Sequence, residues 1–277
     1  MVYKCNSIAK KKLSNIKKNI KDQKFSLRLD IIYIGNNSAS EIYVNRKIKI
    51  AKELGIKVNL HQFKKSTNFE IIKAVCNNLN YDPNCKGYFI QLPIPKELAE
   101  KNILDSISTL KDIDCLTSTN LGKTFKATKD SIMPASVKAI VTILKTKKIR
   151  LKSKKITIIN DSNLIGKPLA GYLLSKGATV TICNEFTKNI EKYTKKAEVL
   201  ITAVGKRNLI REEMVNNKMV LIDAGITRIK GKIYGDVDFN SVKKKVKLIT
   251  PVPNGVGQLT IPCLFENLLK LYEQQKS

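Results

Sequence analysis

The chain has 277 residues, 43% of them hydrophobic, with 51 Lys and Arg against 23 Asp and Glu and a net charge of +28. That is long enough for two α/β units and apolar enough to exclude wholesale disorder. The basic residues are scattered, and the runs at 10–12 and 243–245 have no aromatic interleaving, so solvated surfaces explain the charge better than nucleic-acid binding does. A positive field still attracts anionic small substrates and cofactors.

In chain order, residues 8–21 read as a basic amphipathic helix and 26–34 as a strand. Ser38-Ala-Ser-Glu41 matches a capping box, which predicts a helix from about residue 39 or 40 that Gly55 ends. Residues 56–62 read as a second strand, and Thr67-Asn-Phe-Glu70 caps a second helix. Residues 87–91 form a third strand, stopped by Pro93 and Pro95. Gln91 then lies at a strand's carboxyl end, where open parallel sheets bind ligands.

A connecting helix over 136–147 leads to a second block. Strands are expected at 156–159, 178–183, 199–203 and 219–223. Pro168 sits in the first turn of a helix after the Gly166 loop, and a final helix spans 259–274. This alternation is the rhythm of a doubly wound, nucleotide-binding sheet.

Six cysteines contain no C-x-x-C pair, and His61 is the only histidine. No metal site or disulfide framework is expected, and a reducing compartment fits. His61 reads as a strand-end residue with no nearby carboxylate. No apolar run has transmembrane length, and the first residues lack a signal-peptide core. The expectation is a cytoplasmic protein with no membrane partner.

Tyr43 and Lys47 stand one helical turn apart on one face. A ring and an ammonium aimed together can hold and polarise a flat, electron-rich substrate. Alone, such a pair is ordinary. Its setting is an ordered series: Ser40-x-x-Tyr43-x-x-x-Lys47, Gln91-Leu-Pro-Ile-Pro95, Lys111-Asp-Ile-Asp114, Asp161-Ser-Asn-Leu-Ile-Gly-Lys-Pro168, Ala203-Val-Gly205, Ile222-Asp-Ala-Gly225, Gly235-Asp-Val-Asp238 and Thr250-Pro-Val-Pro-Asn-Gly-Val-Gly257.

With this series the chain resembles the bifunctional methylenetetrahydrofolate dehydrogenase/cyclohydrolase family of one-carbon metabolism, over about residues 8–269. The resemblance implies hydride removal from 5,10-methylenetetrahydrofolate onto a nicotinamide, then hydration of the methenyl product to 10-formyltetrahydrofolate. It implies a folate-binding catalytic domain over 1–138, joined by the last helix at 259–277, and a Rossmann-type NAD(P)-binding domain over 139–258. The active site is expected in the cleft between them, in a homodimer formed through the Rossmann domain.

By the same resemblance Lys47 is the central catalytic residue and Gln91 its hydrogen-bond partner. Tyr43 stacks on the folate, Asp114 grips the pterin's N–H donors, and Val256 and Gly257 line the folate end. The dinucleotide falls to Asn160, Asp161, Ser162, Gly166, Lys167, Pro168, Glu185, Gly205, Gly225 and Ile226.

The chain departs from the family pattern on the cofactor side. Asp161 replaces an arginine that pairs with the 2′-phosphate of NADP. Asn184-Glu185 replaces His-Ser, and Glu185 lies 19 residues past Gly166, where a carboxylate reads the ribose hydroxyls of NAD. Both changes repel a phosphate, so NAD is expected over NADP. Cys115 adds bulk beside Asp114, and Asn254 stands where the turn needs a left-handed residue. Two rival readings are a cyclohydrolase with weak or lost dehydrogenase activity and a basic nucleic-acid binder on a retired Rossmann fold.

Overall fold

Arg28–Ile34 has six of its seven residues buried, as befits a central strand covered on both faces. In the computed structural model, which describes residues 1–276 without the side chains of Ser38 and Ala39, this strand is β1. The first part of the chain runs α1 (Asn6–Asp22), β1, α2 (Ser38–Glu53), β2 (Lys57–Phe63), α3 (Phe69–Tyr81), β3 (Gly87–Ile90), α4 (Lys96–Glu100) and α5 (Ser118–Phe125). There follow α6 (Ala135–Thr146), β4 (Lys155–Ile159), α7 (Gly166–Ser175), β5 (Thr179–Cys183), α8 (Glu191–Thr194), β6 (Val199–Thr202) and β7 (Val220–Asp223). The chain closes with β8 (Thr227–Ile229), β9 (Lys232–Tyr234), α9 (Phe239–Val242), β10 (Leu248–Ile249) and α10 (Thr260–Gln274).

The chain divides into two units, residues 11–122 with 264–277 and residues 1–10 with 123–263. The first holds a parallel sheet of order β2-β1-β3. Its core includes Ile32, Ile72, Cys76, Tyr88 and Ile90. Gly87 is a packing requirement, because a Cβ there would lie 2.3 Å from Ile113 and 2.9 Å from Leu268 of α10. The second holds a parallel sheet of order β10-β7-β6-β4-β5, with Ile159, Leu200, Leu221 and Ile249 in its core.

In each sheet the chain reverses direction of winding once, between β1 and β3 and between β4 and β6. Crevices at such switch points, outside the strands' carboxyl ends, are where this class of sheet binds ligands.

Both expected helix caps are displaced by one residue. Asn37 caps α2, its Oδ1 accepting from Ser40 N at 3.0 Å; the side chain of Ser38 is outside those described. Asn68, not Thr67, caps α3 by accepting from Ile71 N at 3.0 Å. A carboxamide oxygen reaches the third amide of a helix as a hydroxyl does. Gly55, with φ +81°, follows α2 as expected.

His61 is a further correction. It lies within β2, and its Nε2 is 2.8 Å from Oδ1 of the buried Asp30. The parallel register sets His61 opposite Ile32, two residues from Asp30 on the same face of β1. All six cysteines are buried and outside any disulfide. Among the described residues no helix is long and apolar enough to cross a membrane.

Candidate active site and nucleotide cradle

The first site forms where β3 ends. Gln91 N donates to Ile32 O at 2.8 Å, tying the β3 end to β1 across the switch point. The Gln91 Nε2 donates to Leu92 O at 2.7 Å, and Ser40 Oγ donates to the same carbonyl at 3.3 Å. This fixes the amide's orientation: its nitrogen is occupied, so its oxygen faces away from Leu92. Lys47 Nζ donates to that Oε1 at 3.1 Å.

Phe89 and Gln91 are two residues apart on an extended strand and share a face. Lys47 Nζ accordingly lies 3.9 Å from the centre of the Phe89 ring. Asp114 Oδ2 is 3.9 Å from the ammonium, longer than a hydrogen bond. The Lys47 side chain is 12% exposed. Burial pushes its pKa below the usual lysine value, and Asp114 opposes that by pulling it up. Tyr43 is half-buried on α2, one turn before Lys47.

Asp114 is held by a neighbour that sequence reasoning passed over. The fully buried Asp112 accepts from Leu116 N at 2.8 Å, Thr117 N at 3.0 Å, Thr117 Oγ1 at 2.8 Å and Asn120 Nδ2 at 3.0 Å. Asn267 Nδ2 of α10 donates to Ile113 O at 2.9 Å. Backbone on either side of Asp114 is thereby fixed. Cys115, directly after it, is buried with φ +57°, a left-handed conformation that glycine adopts more readily.

Of the residues expected to meet the folate, Lys47, Gln91 and Asp114 are brought together and Tyr43 shares the helix of Lys47. Val256 and Gly257 belong to the other unit, in a 3₁₀ turn over Val256–Gln258. Val256 is buried and Gly257 exposed. Asn254, two residues earlier, has φ +80°, as the turn was expected to need.

The second site lies at the carboxyl ends of β4, β5 and β6. Asn160 organises it. Its Oδ1 accepts from Ser162 N at 3.0 Å, Ser162 Oγ at 2.7 Å and Gly166 N at 2.9 Å. Its Nδ2 donates to Ala203 O at 2.8 Å, across the β4/β6 switch point. Gly166 starts α7 against this loop, and a Cβ on it would stand 1.9 Å from Asn160 O. Pro168 is buried in the first turn, while Lys167 reaches outward to Asn163 at 2.9 Å.

Two buried aspartates brace the opposite wall. Asp236 accepts from Thr202 Oγ1 at 2.7 Å, Val204 N at 2.7 Å, Gly205 N at 2.8 Å and Lys206 N at 2.8 Å. Asp223 accepts from Gly225 N, Asp236 N and Val237 N. Burial pushes Asp223 up to about 7, against its backbone hydrogen bonds and with a contribution from the Asp236 charge. A Cβ on Gly225 would lie 2.1 Å from Asp236 Oδ1. Ile226 is 46% exposed.

Between these walls is a cavity of about 520 Å³ lined by Asn160, Asp161, Asn184, Glu185, Glu191 and Lys206 among others. Asn184 Nδ2 donates to Asp161 Oδ2 at 3.3 Å. Sequence reasoning did not single out Glu191 or Lys206, although Lys206 directly follows Gly205. The glycine-started helix and the switch-point crevice suit a dinucleotide.

Fold and site together define a two-unit α/β enzyme, with a lysine-centred site on one sheet and a Rossmann-type nucleotide cradle on the other. Residues 3–114 match the catalytic domain of tetrahydrofolate dehydrogenase/cyclohydrolase, and residues 134–276 match its NAD(P)-binding domain. The chain belongs to the tetrahydrofolate dehydrogenase/cyclohydrolase family.

Among its relatives, the bifunctional protein FolD of Mycoplasma capricolum is 43% identical over 249 residues, 89% of this chain and 87% of that one. The crystal structure of the bifunctional FolD enzyme of Campylobacter jejuni superposes with a TM-score of 0.95 at 35% identity, covering 99% of both chains. That of Trypanosoma brucei FolD, complexed with NADP cofactor and inhibitor, has a TM-score of 0.93 at 25% identity over 100% of this chain and 98% of that one. The protein is therefore an oxidoreductase and a hydrolase on one polypeptide. It oxidises 5,10-methylenetetrahydrofolate with NAD(P) and hydrolyses the methenyl product to 10-formyltetrahydrofolate.

Proposed function

We propose that Lys47 is the proton-handling group of the hydrolysis. The observation that carries this is its setting: a nearly buried amine hydrogen-bonded to a neutral carboxamide, with the Asp114 carboxylate 3.9 Å away. Attack of water on the methenyl carbon releases a proton, and opening of the ring delivers one to nitrogen. An amine whose pKa is lowered by burial can accept the first and supply the second. Gln91 orients it without locking it as a cation. Asp114 accepts from the pterin's N–H donors, and the Tyr43 ring stacks on the folate. Val256 and Gly257 serve the folate end.

A bound nicotinamide dinucleotide supplies the hydride acceptor. Asn160, Ser162, Gly166, Lys167 and Pro168 form its phosphate-side loop, with Gly205, Gly225 and Ile226 on the facing wall. NAD is preferred over NADP, because Asp161 and Glu185 place two carboxylates in the cavity where a 2′-phosphate would be repelled. Six cysteines outside any disulfide suit the reducing cytoplasm. The enzyme works as a homodimer, for which the free edge of β5 with exposed Ile182 and Phe186 provides a surface.

The deciding experiment measures methylene-tetrahydrofolate oxidation with NAD and with NADP, then methenyl-tetrahydrofolate hydrolysis, for the native chain and Lys47→Met. NAD-preferring oxidation and loss of hydrolysis in the variant are expected. Retained hydrolysis overturns the role of Lys47, and faster oxidation with NADP overturns the cofactor preference.

A further inference from the structure

The parallel β4–β10 sheet has a second concave end. At its amino edge, where β4, β6, β7 and β10 begin, lies a groove of about 910 Å³. Eight lysines and arginines line it, among them Lys148, Arg150, Lys195, Lys196, Lys218 and Lys247. The basic residues that look scattered in sequence converge here because every connection returning to one of these strand starts contributes: four precede β4, two precede β6, and one each precedes β7 and β10.

The groove has one acidic residue, Glu198, and it is already neutralised. Its Oε1 is 2.5 Å from Lys154 Nζ, its Oε2 accepts from Lys155 N at 3.0 Å, and these bonds lower its pKa. None of the six cations named above is in an ion pair among the described residues. Lys148 sits just past the C-terminus of α6, where exposed helix carbonyls tolerate a cation without a carboxylate. Asn216 and Asn217 add amide donors, and no aromatic side chain lines the groove.

We propose that this groove binds a linear inorganic polyphosphate chain. A concave set of unpaired cations favours the ligand with the most closely spaced negative charges, and the chain's release of counterions drives the association. The absence of aromatic lining removes the stacking platforms that single-stranded nucleic acids use. The groove lies at the opposite end of the strands from Asp161, Glu185 and Gly205, so its ligand does not compete for the dinucleotide cavity.

The test titrates medium-chain inorganic polyphosphate into the full-length protein at several salt concentrations. Two charge-matched triple variants are compared: Lys195→Glu, Lys196→Glu, Lys218→Glu in the groove, and Lys10→Glu, Lys11→Glu, Lys17→Glu on the exposed face of α1. The groove variant should bind at least about tenfold more weakly, with a salt slope smaller by about 2; the α1 variant should stay within about twofold of the native chain. Glutamine versions of the groove triple replace the glutamates if the latter melt early, and methenyl hydrolysis should be unchanged in all of them. Equal losses in both triples would show attraction to net charge alone and overturn the site. So would equal or tighter binding of a single-stranded oligonucleotide or of polyglutamate.

Discussion

Lys47 donates to Gln91 at 3.1 Å, and Gln91 can receive it in only one orientation because its own Nε2 is held by Leu92 O. The amide therefore offers the amine an acceptor without a charge. Gln91→Glu replaces this with a carboxylate and should raise the Lys47 pKa, because a nearby opposite charge favours the ammonium. The acid limb of the pH profile for methenyl hydrolysis should move to higher pH, with activity at neutral pH falling about tenfold or more. An unmoved limb would remove Lys47 from proton transfer.

Asp114 acts on the same amine in the opposite sense. Its charge pulls the Lys47 pKa up against the effect of burial. Asp114→Asn removes that pull, so the free amine persists to lower pH and the acid limb of kcat moves acidward. KM should rise in parallel, because a neutral amide grips N–H donors less strongly than a carboxylate. A raised KM with an unchanged limb would confine Asp114 to substrate binding.

Gly166→Ala should separate the two activities. The added methyl carbon would stand 1.9 Å from Asn160 O, and the loop between β4 and α7 must shift to admit it. The expected outcome is loss of dinucleotide-dependent oxidation by about 100-fold or more, with methenyl hydrolysis retained. Equal loss of both activities would point to unfolding, which a melting curve detects.

Asp161→Arg combined with Glu185→Ser should move preference toward NADP. Two carboxylates leave the cavity and a guanidinium that can pair with phosphate enters it. The ratio of kcat/KM for NADP to that for NAD should rise by at least about tenfold. A ratio that stays constant would place nucleotide recognition elsewhere in the cavity.

Asp223 makes stability depend on pH. Its folded pKa, about 7, lies above the ordinary 3.8. The protonated form is thus favoured by folding, and the contribution is complete below about 3.8. It is lost as pH rises to about 7 and constant beyond, a span of up to roughly 4 kcal/mol. Asp223→Asn lacks this titration. The difference in Tm between variant and native chain should shift in the variant's favour from pH 5 to 7.5 and then level off. Parallel pH curves would contradict the assignment.

The strands were legible where β-branched runs such as Ile156-Thr-Ile-Ile159 are bounded by turns, because burial on both faces leaves no other use for them. That Lys47, Gln91 and Asp114 stand together was legible from motif order. Phe89 beneath Lys47 was not read, although its two-residue spacing from Gln91 carries the signal. The caps were missed by one residue because neighbouring Asn and Ser or Thr can both cap, and only backbone geometry chooses. Asp30, Asp112, Asp223 and Asp236 could not be assigned roles in advance. Asp236 meets donors 30 to 34 residues away, a distance over which sequence pattern carries no geometry. The hairpin β8–β9 and the helices α4 and α5 are too short to show a period.

In the nucleotide cradle, the residues that hold the loops differ from those left to line the cavity. Asn160, Ser162, Gly166 and Asp236 are committed to backbone contacts. Asp161 has a single 3.3 Å contact with exposed Asn184. Substitutions at the rim therefore cost little folding energy, so the cavity's charge can be changed by mutation while the scaffold that shapes it stays in place.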